Sequence, residues 1–544
     1  MSTSTSQFLS TGELIPDALP PPGGRPGRFG WLRRWLFALV VVAFLAEMAV
    51  AMITAAVEQT PTIDEPVYVG TALVYVEQRS LRYNPEHPPL GKLIIATGLA
   101  FADARLDPAF AGDQTQLGRH VLYESGNDPG RLMLLARLPV IVLTLLFGLV
   151  VFAFARDLAG PVGGVTALAL YAFSPDVIAH GSLATLDVPV AGFLLTSVWL
   201  LWRARRRPVL YVPLAGLAFG AALATKMSAL AAIPVLLLLF VLSVKRTRRL
   251  RLGAAMVLFA IAVVWASYLV VDPLLRWETP PHLSTGGLHW LPFPEPYWDG
   301  MRVQFGFEGQ VWGGFLFGRH YLGSLWYYLP AALLVKTPLG MLVLWLVGAV
   351  VMVSRLRPAA PYVLVPPAVL LAAAMTGSRD LGVRYAIFVP MFLAVAAAGV
   401  VAIRRRWARA AAAVLVIFAA VSSLRTFPYY LPYSNEAFGG PTKTHLHLHD
   451  SNVDWGQDLG RLAEVLRQRY PGERIWLVYK GSGLPTHYGI HAADPRKAPP
   501  DHVRGLLVVS DSAIAKADDH LAALIKSSTP IDEVGHSITI YRRP

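Results

Sequence analysis

A chain of 544 residues in which 54% are hydrophobic and only 15% charged is not an ordinary soluble globular protein. It contains no cysteine, which excludes disulfide frameworks and thiolate metal centres. A net charge of +13 would suit a nucleic-acid binder, but the arginines sit in short turns between apolar runs, the positive-inside pattern of a membrane protein.

The first 30 residues read as a disordered cytoplasmic tail, Pro/Gly-rich from Pro20 to Gly30. It puts the first apolar run too far in for a cleavable signal peptide. Eleven apolar segments then approach the length a membrane span needs: 35–57, 132–155, 162–179, 188–202, 209–224, 228–244, 252–271, 325–353, 362–375, 385–403 and 408–424. Segment 325–353 is interrupted by Lys336 and Pro338 and reads as an interfacial helix followed by a span. With a cytoplasmic N-terminus, the turns at Arg156, 203–207, 245–249, 355–357 and 404–406 all fall on the inside. Three polar pieces then face outward: 58–131, 272–324 and the tail from about Pro428.

The expected architecture is a polytopic α-helical membrane protein of about 11 transmembrane helices over 31–430, followed by a small extracytoplasmic α/β domain over 441–544. In that tail Asp454 is placed to cap a helix through Leu459, Leu462 and Leu466, with Gln457 as capping-box partner. Residues 474–479, 505–510 and 537–541 read as strands and 520–526 as a helix. His445, His447 and His449 alternate as on an edge strand, and the run from Asp450 to Asp458 reads as a turn plus a helix cap.

Chemistry concentrates in 61–92, which follows the first span and is too polar to cross a bilayer. It carries Asp64 and Glu65, then Asn84, Glu86, His87, Pro88, Pro89 and Lys92. Helices over 66–78 and 90–101 would be amphipathic, lie flat on the membrane and hold carboxylates at its surface. Asp64, or Thr62 with Glu65, could simply cap the first of these; alternatively Asp64 is a general base. Glu86 beside His87 could bind a divalent ion if His282 or His289 converged on it. In the turn near His180, Asp176 and Asp187 are costly at that depth unless they face a wet cavity. Lys226, Lys336, Arg379 and Arg384 stand at outer ends of spans, where snorkelling or an anionic headgroup would explain them.

Asp64-Glu65, 84–92 (Asn-Pro-Glu-His-Pro-Pro-Leu-Gly-Lys), 180–187, 220–226, 318–328 with 336–338, and 450–459 together make the chain resemble the GT-C superfamily of polyprenyl-phosphate-sugar-dependent glycosyltransferases. It is most similar to the bacterial branch near protein O-mannosyltransferases and the lipid A aminoarabinose transferase. The resemblance implies a multi-pass enzyme of the bacterial inner (plasma) membrane. Its donor would be a polyprenyl-phosphate-linked sugar, and it would transfer with inversion to a protein, lipid or glycan acceptor. Asp64, Glu65 and Asp187 are then the catalytic candidates, with Asp64 activating the acceptor hydroxyl. Lys92, Lys226, Lys336 and Arg384 are candidates for the donor phosphate; Tyr68, Asn84, Glu86, His87 and His180 for acceptor or sugar. A carboxylate matching Glu86 lies in a metal site of the aminoarabinose transferases. The segment 272–324 is too short for the β-trefoil of eukaryotic O-mannosyltransferases, and Glu86-His87-Pro88-Pro89 replaces the Glu-Lys-Pro-Pro of the aminoarabinose enzymes. Neither substrate carries over. The alternative reading is a lipid or sugar transporter, which would place its polar residues near the midplane on broken helices.

Overall fold

The computed structural model describes residues 28–278 and 292–544. In chain order its helices are α1 (Arg28–Glu58), α2 (Glu65–Glu77), α3 (Pro89–Leu99), α4 (Gln114–Arg119), α5 (Pro129–Ala172), α6 (Pro175–Gly181), α7 (Asp187–Ala204), α8 (Pro208–Thr225), α9 (Ile233–Ser243), α10 (Arg249–Val271) and α11 (Glu295–Glu308). A small hairpin, β1 (Gly313–Leu316) and β2 (Arg319–Leu322), precedes α12 (Tyr328–Lys336), α13 (Leu339–Arg355), α14 (Ala360–Ala374), α15 (Phe388–Ala397) and α16 (Arg406–Leu424). The tail contains α17 (Leu459–Arg469), β3 (Ile475–Val478), β4 (Gly505–Ser510), α18 (Asp511–Ile514), α19 (Asp519–Lys526), β5 (Thr529–Val534) and β6 (Ile538–Arg543).

All eleven apolar segments are largely helical. Among the described residues five helices are long and apolar enough to cross a membrane, six if α12 and α13 form one span bent by 118°. The bend falls at Thr337-Pro338, where proline cannot continue a helix. Within α5, Gly160 adopts φ 75° just before Pro161, and the two halves fold back together. A Cβ at Gly164 would meet the Phe152 carbonyl at 2.9 Å. The segment predicted over 162–179 ends early, because the chain turns at Phe173-Ser174 into α6.

Small residues set the close contacts, as they do between membrane helices. Gly216 and Gly220, four apart on α8, face α10 so closely that a Cβ would meet Met256 O at 2.4 Å and Ala260 O at 2.6 Å. At one end of the bundle the basic turns gather: Arg203 pairs with Asp157 at 2.7 Å, Arg205 stacks on Trp202 and reaches Tyr362, and Arg355 donates to Ala402 O at 2.9 Å. The chemistry-bearing loops gather elsewhere, at the helix ends near Glu58, Lys226 and Lys336.

In the tail the sheet order is β3-β4-β6-β5, with β3 and β4 parallel and β6 antiparallel to both its neighbours. Alternating residues cover both faces: Leu477, Leu506 and Val508 pack with Leu459, Leu462 and Leu466 of α17. On the other face Trp476, Leu507 and Val509 pack with Leu521 and Leu524 of α19.

Several local expectations are corrected. Helix α2 is not a surface amphipath: ten of its 13 residues are buried, because α3, α4 and the helical turn His120–Glu124 cover it. Asp458, not Asp454, stands at the start of α17, and the Asp454 carboxylate instead accepts N–H bonds from Gly456 and Ser512. The histidine triplet lies in 3₁₀ and irregular turns rather than on a strand, where Pro441 and the glycines before it favour turning.

Candidate active site

Glu65 is the fixed point of the region. Thr62 donates through N (2.9 Å) and Oγ1 (3.0 Å) to its Oε2, Ala184 N donates to Oε1 at 2.8 Å, and Arg137 clamps both oxygens at 2.7 and 2.6 Å. Arg137 spends its remaining donors on the carbonyls of Ala56, Gln59 and Thr60. Both side chains are fully buried. Burial alone would raise the Glu65 pKa, but the Arg137 guanidinium and the N–H donors outweigh it and hold the carboxyl below its ordinary range. A buried ion pair is tolerated only when it is this fully bonded. With both oxygens occupied, Glu65 braces α1, α2, α5 and the 182–186 turn rather than reaching a substrate.

Asp64 precedes it by one helical step of about 100°, so its carboxylate points elsewhere. It makes no capping bond to α2; it pairs with Arg384 at 2.5 Å and stays 28% exposed. No side chain caps α2: Thr62 only donates to the Glu65 carboxylate, so neither expected cap forms. Arg384 is buried, stacks on Trp455 with 4.3 Å to the ring centroid, and leaves its Nε unbonded.

Two further ion pairs join this one. Asp187, in the first turn of α7, accepts from Lys226 at the end of α8 at 2.5 Å. Arg379 donates to Glu308 at 2.6 Å. The three cations surround one ring, Tyr385, at 5.6 Å (Lys226), 6.0 Å (Arg379) and 5.0 Å (Arg384) from its centroid. Three cations around one aromatic ring, each paired with a carboxylate, form a polar cluster.

Histidines close the site from two sides. His180 is fully buried with both ring nitrogens unbonded, and its ring lies 6.1 Å from Trp455. Burial, reinforced by nearby cations against the pull of Asp187, drives its pKa down to about 3. His87 leaves Nδ1 unbonded and sits 6.0 Å from Tyr68; burial likewise pushes it well below the imidazole range. Both rings are neutral near pH 7 and can each offer one donor and one acceptor.

The remaining candidates serve the frame. Lys92 is buried and donates to Asn84 O (2.8 Å), Asn84 Oδ1 (3.1 Å) and His87 O (2.6 Å), pinning a loop in which Asn84 has φ 53°. Its pKa is drawn down to about 7 by burial, against the pull of Glu86. Lys336 donates to Leu431 O and Asn452 O and lies 3.4 Å from Asp176. Neither lysine has a free face for a phosphate. The Glu86 Oε1 accepts amide N–H bonds from Asn84 and Gln114, each at 2.8 Å. Among the described residues no three His, Asp or Glu side chains converge as a metal requires, and His282 and His289 lie outside the described residues.

The run from Asp450 to Asp458, read from sequence as a turn, is the joint of the whole region. Ser451 Oγ donates to Leu381 O at 2.6 Å, Asn452 Oδ1 accepts from Val383 N and its Nδ2 donates to Tyr328, and Trp455 carries Arg384. Gln457 O and Trp455 O accept from Thr60 N and Ile63 N, so the tail is stitched to the acidic loop. The sequence signal was the density of short polar residues around a tryptophan. Tyr385, next to Arg384, gave no signal of its own.

Residues 38–277, under half of the chain, match the family model described as dolichyl-phosphate-mannose-protein mannosyltransferase. Asp64, Glu65, Asp187 and Lys226 fall inside that match. The fold is similar to the crystal structure of ArnT from Cupriavidus metallidurans in the apo state, at TM-score 0.50 and 15% identity over 94% of this chain and 98% of that one. The same protein bound to undecaprenyl phosphate gives 0.48 and 14% over 92% and 97%. The oligosaccharyltransferase of Archaeoglobus fulgidus in the apo form gives 0.47 and 11%, over 92% of this chain and 73% of that one. No curated protein sequence matches the chain. The chain is therefore similar in fold to ArnT, and its residues 38–277 are similar in sequence to the mannosyltransferase family.

Proposed function

We propose that the protein is an integral-membrane glycosyltransferase that moves a monosaccharide from a polyprenyl-phosphate carrier to a hydroxyl-bearing extracytoplasmic acceptor, with inversion. The observation that carries the reading is the Asp64–Arg384 pair inside a cluster of three cations. It puts a partly exposed carboxylate beside guanidinium and ammonium groups, which is what this transfer requires. The family matched over 38–277 is named for a dolichyl-phosphate mannose donor, consistent with a lipid-phosphate carrier here. The spans, as many as eleven, run with the basic turns in the cytoplasm and the acidic loop and tail outside.

In a single displacement the acceptor oxygen attacks the anomeric carbon as the bond to the phosphate oxygen breaks. The bonding pair leaves on the phosphate, and the acceptor's proton passes to Asp64. Lys226 and Arg384 meet the charge that develops on the leaving phosphate, so no general acid is needed. One displacement inverts the anomeric centre. Neutral His180 and His87 suit sugar or acceptor hydroxyls, and Asp187 keeps Lys226 in place.

The test uses purified protein in lipid nanodiscs with a panel of polyprenyl-phosphate monosaccharides, following release of polyprenyl phosphate with and without candidate acceptors. Release with one sugar by wild type, lost in Asp64→Asn, supports the proposal and identifies the donor. Lipid movement across vesicles without any release, unaffected by Asp64→Asn, would replace it with a transporter.

A further inference from the structure

The tail domain holds a second cationic site. Strands β3 and β4 are parallel, so their carboxyl ends open on one edge of the sheet, the usual place for a ligand crevice in an α/β layer. A cavity of about 250 Å³ lies there, lined by Tyr479, Lys480, Arg496, Ser512, Lys516 and Asp518 among others.

Most of its polar groups are committed. Asp518 caps α19 through Leu521 N at 2.8 Å, Arg496 is held by both oxygens of Asp494, and Lys480 pairs with Asp450. Ser512 Oγ donates to Asp454 O and accepts from Asp450 N. Lys516 is half-buried and, among the described residues, has no carboxylate partner. Burial and the neighbouring Lys480 both work against its charge, with Asp450 compensating only in part. A partly desolvated ammonium beside a second one is relieved by an anion in the cavity.

We propose that this cavity binds a phosphate or carboxylate group carried on a small polar molecule, such as one acidic sugar unit. At about 250 Å³ it lies just below the roughly 300–1,000 Å³ of drug-sized sites, so it takes a head group rather than a whole lipid. It is distinct from the cluster around Tyr385. The Asp450 carboxylate stands between them, paired with Lys480 and within the field of Arg384.

The experiment titrates inorganic phosphate, glucuronate and glucose into the full-length protein in zwitterionic nanodiscs by calorimetry. Wild type binds at least one of the two anions saturably and does not bind glucose. Lys516→Met weakens that binding by about tenfold, whereas Lys516→Arg and Arg384→Met retain it. If nanodiscs containing an anionic phospholipid suppress the soluble anion's binding, the natural occupant is a lipid head group; if they do not, it is a soluble or glycan-borne anion. Equal binding of glucose, no anion binding in wild type, or loss with Arg384→Met but not with Lys516→Met would overturn the proposal.

Discussion

Asp64 and Arg384, 320 residues apart in the chain, meet at 2.5 Å and so close the loop after α1 onto the segment before α15. The pair couples the two halves of the proposed reaction, because one partner would take the acceptor's proton while the other faces the donor phosphate. In the proposed reaction an incoming phosphate would draw on Arg384 and free the carboxylate, which would make donor binding a precondition for base catalysis. Asp64→Asn should therefore lose about 10²–10⁴-fold in turnover while donor affinity is unchanged or tighter, since Arg384 is no longer neutralised. Turnover by Asp64→Asn at the wild-type rate, measured as carrier release in nanodiscs, would remove Asp64 from the mechanism.

Glu65, its neighbour in sequence, should behave differently. Glu65→Gln leaves the fully buried Arg137 without its counter-charge, and breaking such a pair costs on the order of 3–5 kcal/mol. The expected result is a large drop in thermal stability in detergent, with any activity loss tracking the loss of folded protein. A stable but inactive Glu65→Gln would instead place Glu65 in the chemistry.

The four candidate cations divide the same way. Lys92 and Lys336 donate to buried carbonyls, so Lys92→Met and Lys336→Met should destabilise by about 1–3 kcal/mol for each acceptor left unpaired. Lys226→Met and Arg384→Met should leave the melting temperature closer to wild type and weaken donor binding, read as a rise in donor KM. Donor affinity that survives in both variants would move the phosphate site away from Tyr385.

How much of this could be read from the chain depends on distance along it. The eleven apolar segments, the acidic pair and the tail strands are local patterns, and helices and strands form where those patterns lie. Partnership is not local. Nothing near Asp64 announces Arg384, and nothing near Lys92 shows that it is spent on Asn84 and His87. The polar and apolar residues of α2 suggest a surface amphipath, yet the helix is buried, because local sequence says nothing about what covers it. Gly382 shows the same limit: its φ of 145° and the 2.1 Å approach that a Cβ would make to Ser451 Oγ follow from tail docking, which sequence spacing does not reveal.

Two buried carboxyls in the tail give a pH dependence. Burial raises Asp454 and Asp511 to about 7, with Lys480 opposing it for the first and the Thr539 hydroxyl for the second. A carboxyl whose folded value exceeds its unfolded value near 3.9 contributes stability that is full below about pH 4 and lost as pH rises through 7. The apparent melting temperature should fall between about pH 4 and pH 7, a window set by those two groups. Asp511→Asn should flatten the fall, because an amide replaces the protonated acid and still accepts from Thr539. A pH-independent wild-type transition would rule out this linkage.

His180 permits the sharpest separation of framework from function. Its two nitrogens make no bond in a fully buried setting, which costs free energy unless something else uses them. An apolar side chain of volume closer to histidine's leaves no unpaired polar atom there, so His180→Leu should hold or raise the melting temperature. If the ring hydrogen-bonds a sugar or acceptor hydroxyl, the same variant should lose about three- to tenfold in kcat/KM, the worth of one such bond. Because burial keeps the imidazole neutral down to about pH 3, the shape of the pH–rate profile should not change on substitution. A variant that is stable and fully active would make His180 a packed core residue. One that loses activity together with an inflexion near pH 6.5 would show that the ring ionises during turnover, which the buried geometry argues against.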